Sequence, residues 1–145
     1  MDGRTAVSSL RKVVSPELHV RLAVSEESTL PVYMWLRYES TDPYTVHAVF
    51  LFGDHEPVEW VFARDLLTEG LHRPVGLGDV HVRPVRERDS YVICIALTSS
   101  TGQALLITPA QEIASFLKQT DAVVPRGTES CLLDLDTQLA RILAY

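Results

Sequence analysis

Sulfur chemistry is scarce in this chain: Cys94 and Cys131 are its two cysteines in 145 residues. Two thiols make neither a disulfide framework nor a four-ligand zinc site. Cys94 also sits inside an apolar run, YVICIAL, where a thiol serves as a small core residue. Excess positive charge is missing as well. Thirteen Lys and Arg stand against nineteen Asp and Glu, for a net charge of −6 and a pI of about 5.3. General nucleic-acid binding needs clustered Lys and Arg to neutralise phosphates, so this balance disfavours it, and it disfavours anionic membrane surfaces too. No apolar run approaches a membrane span, and the opening MDGRTAVSSLRKVV lacks the apolar core of a signal peptide. A cytosolic protein without membrane insertion is expected.

Catalytic motifs are also absent. There is no G-x-S-x-G elbow, no Walker loop and no G-x-G-x-x-G. Gly76-Leu77-Gly78 is a lone G-x-G that precedes a strand, whereas phosphate loops precede helices. It reads as a loop needing positive φ. The five histidines, His19, His47, His55, His72 and His81, show no helical i, i+4 pair and have no cysteine nearby. No metal and no cofactor is expected. Glu59, Asp65, Glu69 and Asp79 are the acid–base candidates, but none stands beside a nucleophile in the sequence. The chain does not read as an enzyme.

What the chain does have is apolar alternation. Such patterns mark strands over Glu17–Val24, Val32–Tyr38, Tyr44–Phe52, Val58–Phe62, Val80–Val85, Tyr91–Leu97 and Gln103–Ile107. Tyr44–Phe52 is apolar on both faces, which implies that a second layer or a subunit covers the outer one. Large aromatics, Tyr33 and Trp35, occupy the second face of Val32–Tyr38. A short helix is expected over Ala63–Glu69, with Gly70 taking the left-handed position after it. Thr108-Pro109-Ala110-Gln111 reads as a capping box with Pro first in a helix whose stripe is Ala110, Ile113, Ala114 and Leu117. Thr120–Thr128 reads as a connection, Ser130–Leu133 as the candidate eighth strand and Leu135–Ala144 as a last helix, which Asp134 or Asp136 would cap. Leu18-His19-Val20-Arg21 is echoed by Val80-His81-Val82-Arg83, pointing to a duplicated ββββα unit. The expected architecture is α+β: two crosswise-packed antiparallel sheets with short and C-terminal helices. Residues 1–15 read as a flexible leader and 16–145 as one domain.

The most distinctive stretch is Val58–Pro84, VEWVFARDLLTEGLHRPVGLGDVHVRP. It holds three of the seven glycines and two of the eight prolines. Asp65 and Glu69 are like charges at i, i+4, which calls for a cationic partner such as Arg73 or Arg83. Arg64, Asp65, Glu69, His72 and Arg73 are the candidate partner-binding or junction residues. They form either an exposed contact corner or, through Arg64 and Asp65, a lock between the two repeats.

This wording resembles the signature of the SsgA-like family of sporulating actinomycetes, most closely its SsgB-type branch. Further matches follow in the family's order: LPVYMWLRYESTDPYTVHAVF, SSTGQALLITPAQEIASFLKQTDAVVPRGTE and LDLDTQLARIL. They run from Leu18 to Leu143. The resemblance implies a non-enzymatic regulator of sporulation-specific cell division. It implies FtsZ, the tubulin-like division protein, and other SsgA-like proteins as partners, and the division septum as the place of action. It also implies a Whirly-like fold assembled as a homotrimer. That fold likeness raises one alternative, a single-stranded nucleic-acid binder, for which Tyr33, Trp35 and Arg37 are the local candidates.

Overall fold

In the computed structural model, the described residues are 11–130, apart from Phe52, His55 and Thr101. The expected strand at Ser130–Leu133, the C-terminal helix with its capping aspartates, His55 and Cys131 lie wholly or mainly outside them. Among the described residues nine strands and two helices follow one another: β1 (Val13–Val14), β2 (Glu17–Ala23), β3 (Thr29–Glu39), β4 (Thr45–Leu51), β5 (Val58–Ala63), α1 (Arg64–Gly70), β6 (Val75–Leu77), β7 (Val80–Glu87), β8 (Ser90–Ser99), β9 (Gly102–Pro109) and α2 (Ala110–Val123).

Every strand pairing is antiparallel. Each half of the chain is a four-stranded meander closed by a helix, so the ββββα plan occurs twice. The eighth strand of that plan is β6, in the stretch read as a Gly-rich loop. The halves are not separate sheets in hydrogen-bonding terms. β2 meets β9 at Arg21↔Ile107 and Leu22↔Leu106, which joins the strands in the order β5-β4-β3-β2-β9-β8-β7-β6. β1 lies off this path against the far end of β3. The end of the expected leader is therefore part of the fold: Val14 is buried, and the Lys12 N–H donates to Ser40 Oγ at 2.9 Å.

Alternation decides which side chains are buried. Val32, Met34, Leu36 and Tyr38 of β3 point inward with Val46, Ala48 and Phe50 of β4. From the second half Val82, Ile93, Ile95 and Leu106 join the same core, with Ile113, Phe116 and Leu117 of α2. The stripe of α2 is rotated from the expected one. Ile113, Phe116, Leu117 and Thr120 are buried while Ala114 is exposed. The helix runs on to Val123, through residues expected in a connection, because Phe116 and Thr120 continue its inward face. Its start differs as well. Pro109 is the residue before the first turn, and Thr108 belongs to β9. The buried Thr108 hydroxyl lies 3.2 Å from the His19 carbonyl and 3.4 Å from Glu112 Oε2, so it ties β9 to β2 instead of capping α2.

Two glycines have a different reason from the one expected. Gly70 ends α1 without a positive φ. A Cβ there would stand 2.3 Å from Val82 Cγ1, so glycine is required by the close approach of helix to sheet. Gly76 sits in β6 opposite His81, where a Cβ would meet the imidazole at 1.9 Å. Gly78, with φ +59, is the one that needs left-handed backbone.

Gly70→Ala is expected to cost about 1–3 kcal/mol by overpacking against Val82, more than any gain in helix propensity. Adding Val82→Ala should make the double variant less destabilised than the sum of the single ones. Urea unfolding of the three variants measures this; strict additivity would show that Gly70 and Val82 do not meet.

Candidate functional site

The charged corner is built where β5 runs straight into α1. Ala63 keeps extended geometry and the next residue, Arg64, begins the helix. Its backbone N–H donates to the Tyr44 carbonyl at 2.8 Å. The expectation of an exposed corner fails at this residue. Arg64 is 1% exposed and is among the largest fully buried side chains of the described residues.

The reason lies in what surrounds the guanidinium. Nη1 donates to the Val124 carbonyl at 2.7 Å and the Thr120 carbonyl at 3.3 Å. Nη2 donates to Glu129 Oε1 at 2.6 Å. Asp121 Oδ1 stands 3.6 Å from Nη1, and the Tyr38 ring lies 4.9 Å from the guanidinium carbon. The last turn of α2 has no basic residue of its own. Arg64 supplies the cation there from another element, donating to the Val124 carbonyl and adding a second bond to the Thr120 carbonyl, which already accepts from the Val124 N–H, and complementing the helix dipole. A buried arginine is tolerated only with such a set of acceptors.

The same cluster shifts the titration of its members. Burial pushes the Glu129 carboxyl up, but hydrogen bonds from Arg64 and from the backbone N–H groups of Glu129 and Gly127 outweigh it. The Arg64 charge adds to them, and the net direction is below the usual carboxylate range. Tyr38, whose hydroxyl donates to the Pro43 carbonyl at 2.9 Å, is pushed up to about 12 by burial, with Arg64 opposing. On the surface, Glu39 is held low by hydrogen bonds from Arg37 and Arg11.

The other four corner residues are exposed around this plug. Asp65 pairs with Arg126 at 3.5 Å, and Glu69 with Arg73 at 3.3 Å. The expected cation for the Asp65–Glu69 repulsion is therefore split between two arginines. Arg73 was expected; Arg126 is brought in by the turn after α2, where Gly127 has φ +91. His72 is exposed, and its N–H donates to the Glu69 carbonyl at 3.0 Å. The sequence reading missed Glu129, Asp121 and Tyr38, which lie 65, 57 and 26 residues from Arg64. No local period links positions so far apart.

No nucleophile stands beside a base in this corner. Among the described residues no group of three His, Cys, Asp or Glu side chains is placed to hold a metal ion. Cys94 lines a shallow cleft of about 290 Å³ with Pro74, Gly76, His81 and Arg83, and burial pushes its thiol up, away from reactivity. Among the described residues no helix is long and apolar enough to cross a membrane.

The fold and corner thus define a class: an antiparallel α+β domain whose charge cluster locks helices to a sheet. Comparison with known proteins makes this specific. The family model described as "Streptomyces sporulation and cell division protein, SsgA" matches residues 32–129, and the chain belongs to that family. It is 59% identical, over 93% of its length and 98% of the relative, to the sporulation-specific cell division protein SsgB of Streptomyces coelicolor. It is 38% identical, over 95% of its length and the whole relative, to the SsgB protein of Thermobifida fusca. Solved structures agree. An SsgB structure from a study of longitudinal cell division during sporulation of S. coelicolor superposes with a TM-score of 0.81 over 85% of this chain and 97% of that one. The SsgA-like sporulation-specific cell division protein of T. fusca gives 0.83 over 90% and 95%.

Removing the guanidinium by Arg64→Ala is expected to cost about 3–5 kcal/mol, because it strands a buried carboxylate and takes the donor from the Val124 carbonyl. Chemical denaturation measures it; a loss under about 1 kcal/mol would mean that the corner relaxes and takes up water. The sign of the pH effect follows from the lowered Glu129 pKa. Its contribution is present above the unfolded carboxylate value of about 4.3 and is lost as pH falls through the lower folded value. Unfolding midpoints for wild type and Glu129→Gln should therefore converge on acidification below about pH 4 and stay apart at neutral pH.

Proposed function

We propose that this protein is a non-enzymatic regulator of sporulation-specific cell division, which helps to position or recruit FtsZ at septum sites. The observation that carries the reading is the 59% identity, over nearly the full length of both chains, to a protein named for that process. It works by protein–protein contact in the cytoplasm at the division septum, with FtsZ, other SsgA-like proteins or both. The two half-sheets pack crosswise in a Whirly-like manner, and three copies assemble. Tyr33, about half exposed on the outer sheet face beside Trp35, supports an assembly that covers this face.

The contact residues are the exposed members of the corner: Asp65, Glu69, His72 and Arg73. Arg64 acts beneath them as the junction residue that fixes their placement. Reversing Asp65 and Glu69 to Arg should weaken binding to purified FtsZ by about tenfold or more with little change in unfolding midpoint. Unchanged binding would move the contact elsewhere. In sporulating hyphae a tagged copy should sit at septum sites, and FtsZ rings should fail to form there when the protein is deleted. Normal rings in the deletion would refute the recruitment role. Sedimentation should give about three times the 16.2 kDa monomer mass; a monomer at micromolar concentration would count against assembly.

One observation favours a second reading. Tyr33 and Trp35 stack with ring centroids 6.4 Å apart on an exposed face, a platform suited to unpaired bases. The arginines nearby are engaged, Arg37 by Glu39 and Arg21 by Glu87, which leaves little charge for phosphates. Salt-dependent binding of single-stranded DNA, abolished by Trp35→Ala, would establish this reading in place of the first.

A further inference from the structure

The long sheet runs from edge to edge without closing. Among the described residues its terminal strands are β5 and β6. β6 has three residues, and α1 packs on it. β5 has six, VEWVFA, with neither Lys nor Pro and no bulge in its pairing with β4. Exposed edges of this length are normally blunted by those devices, because unpaired backbone groups template another strand.

The register says which groups are free. The bond from the Arg64 N–H to the Tyr44 carbonyl makes positions 64 and 44 a hydrogen-bonded pair. By antiparallel alternation Phe62, Trp60 and Val58 then bond to Val46, Ala48 and Phe50. The N–H groups of Glu59, Val61 and Ala63 point away from the sheet, as do the carbonyls of Glu59 and Val61. The side chains of these residues lie on the outer face, where Glu59 and Val61 are exposed. Val61 is 50% exposed, and Val58 at the end of the strand is 40% exposed. Charge around the edge has one sign. From Asp54 to Ala63 the sequence holds three carboxylates, at positions 54, 56 and 59, and no Lys or Arg, whereas Asp65 and Glu69 beyond the strand are paired with Arg126 and Arg73.

We propose that the edge of β5, unpaired among the described residues, is a docking site for an extended segment of a partner protein that mixes basic and apolar side chains on each face and adds to the sheet as a further strand. Backbone bonds to positions 59, 61 and 63 would set its register. Because Glu59 and Val61 share the outer face, that face of the added strand would carry a cation opposite Glu59 and, two residues along, an apolar side chain opposite Val61. Edge-to-edge pairing of two copies is the poorer fit, because it would bring the same acidic edge to itself. The proposal goes beyond the division reading and holds whichever protein supplies the strand.

The probe is the blocked heptapeptide Lys-Lys-Val-Val-Lys-Lys-Val, which as a strand places Lys and Val two residues apart on each face, titrated into the full chain at millimolar concentration and followed by backbone amide NMR. Shifts centred on Glu59, Val61 and Ala63, with slowed amide exchange there, are expected. Val61→Pro removes one outward N–H without touching the bonds to β4 and should weaken binding by about tenfold or more. Glu59→Lys, a surface change that leaves the backbone intact, should weaken it through charge alone. An unchanged unfolding midpoint shows that either variant is folded. No shifts, shifts centred elsewhere, or binding by both variants as tight as by the wild type would overturn the proposal. So would loss of self-association in Val61→Pro, which would make the occupant a second copy.

Discussion

One buried guanidinium holds the corner of this molecule together. Arg64 is the first residue of α1, yet its donors serve the end of α2 and the turn beyond it. Its plane also lies against Tyr38 of β3. Four separate parts of the chain therefore meet on one side chain. Arginine suits this position better than lysine. Its planar fork reaches two carbonyls and a carboxylate at once, and its flat face accepts an aromatic ring. The cost of burying the charge is offset only while all of these acceptors are present, so the corner behaves as one unit.

This constraint separates two roles that adjacent residues suggest are one. Arg64 and Asp65 are neighbours in sequence, but a helix points successive side chains in different directions. One becomes the plug of the junction. The other faces solvent with Glu69, His72 and Arg73, and its ion pairs are of the exposed kind that adds little to stability. The geometry of the rim is thus set by the plug beneath it. The same economy appears in the sheet. β2 and β9 share two register pairs, which is enough to make two meanders one ladder and to leave a long edge at β5.

Much of the fold was legible because burial imposes a period of two. Seven of the strands carry that alternation in their apolar residues, and they lie close to where it places them. β6 escaped because its three residues, Val75-Gly76-Leu77, look like a Gly-rich loop. The reason for that glycine, the imidazole of His81 on the neighbouring strand, is visible only in three dimensions. β1 is two residues long and carries no period at all. In α2 an alanine stripe mimicked an inward face, and Phe116 decided the true one. For the site, the sequence showed that Val58–Pro84 was structured and charged. It could not show that Arg64 is buried, since its acceptors Thr120, Val124 and Glu129 come from another part of the chain. Membership in the sporulation and cell division family came through the long runs of shared residues, which carry information that charge and spacing do not.

The claim on which the rest depends is that Arg64 and Glu129 act as a coupled pair. A double-mutant cycle tests it directly, with Arg64→Met, Glu129→Gln and the double variant compared by urea unfolding at neutral pH. Coupling of about 1.5–3 kcal/mol is expected, since each single change strands the charge of the other partner and the double change removes both charges, while the loss of the donor to the Val124 carbonyl is common to both variants lacking Arg64 and cancels in the cycle. Coupling below about 0.5 kcal/mol, the additive behaviour of independent sites, would contradict it.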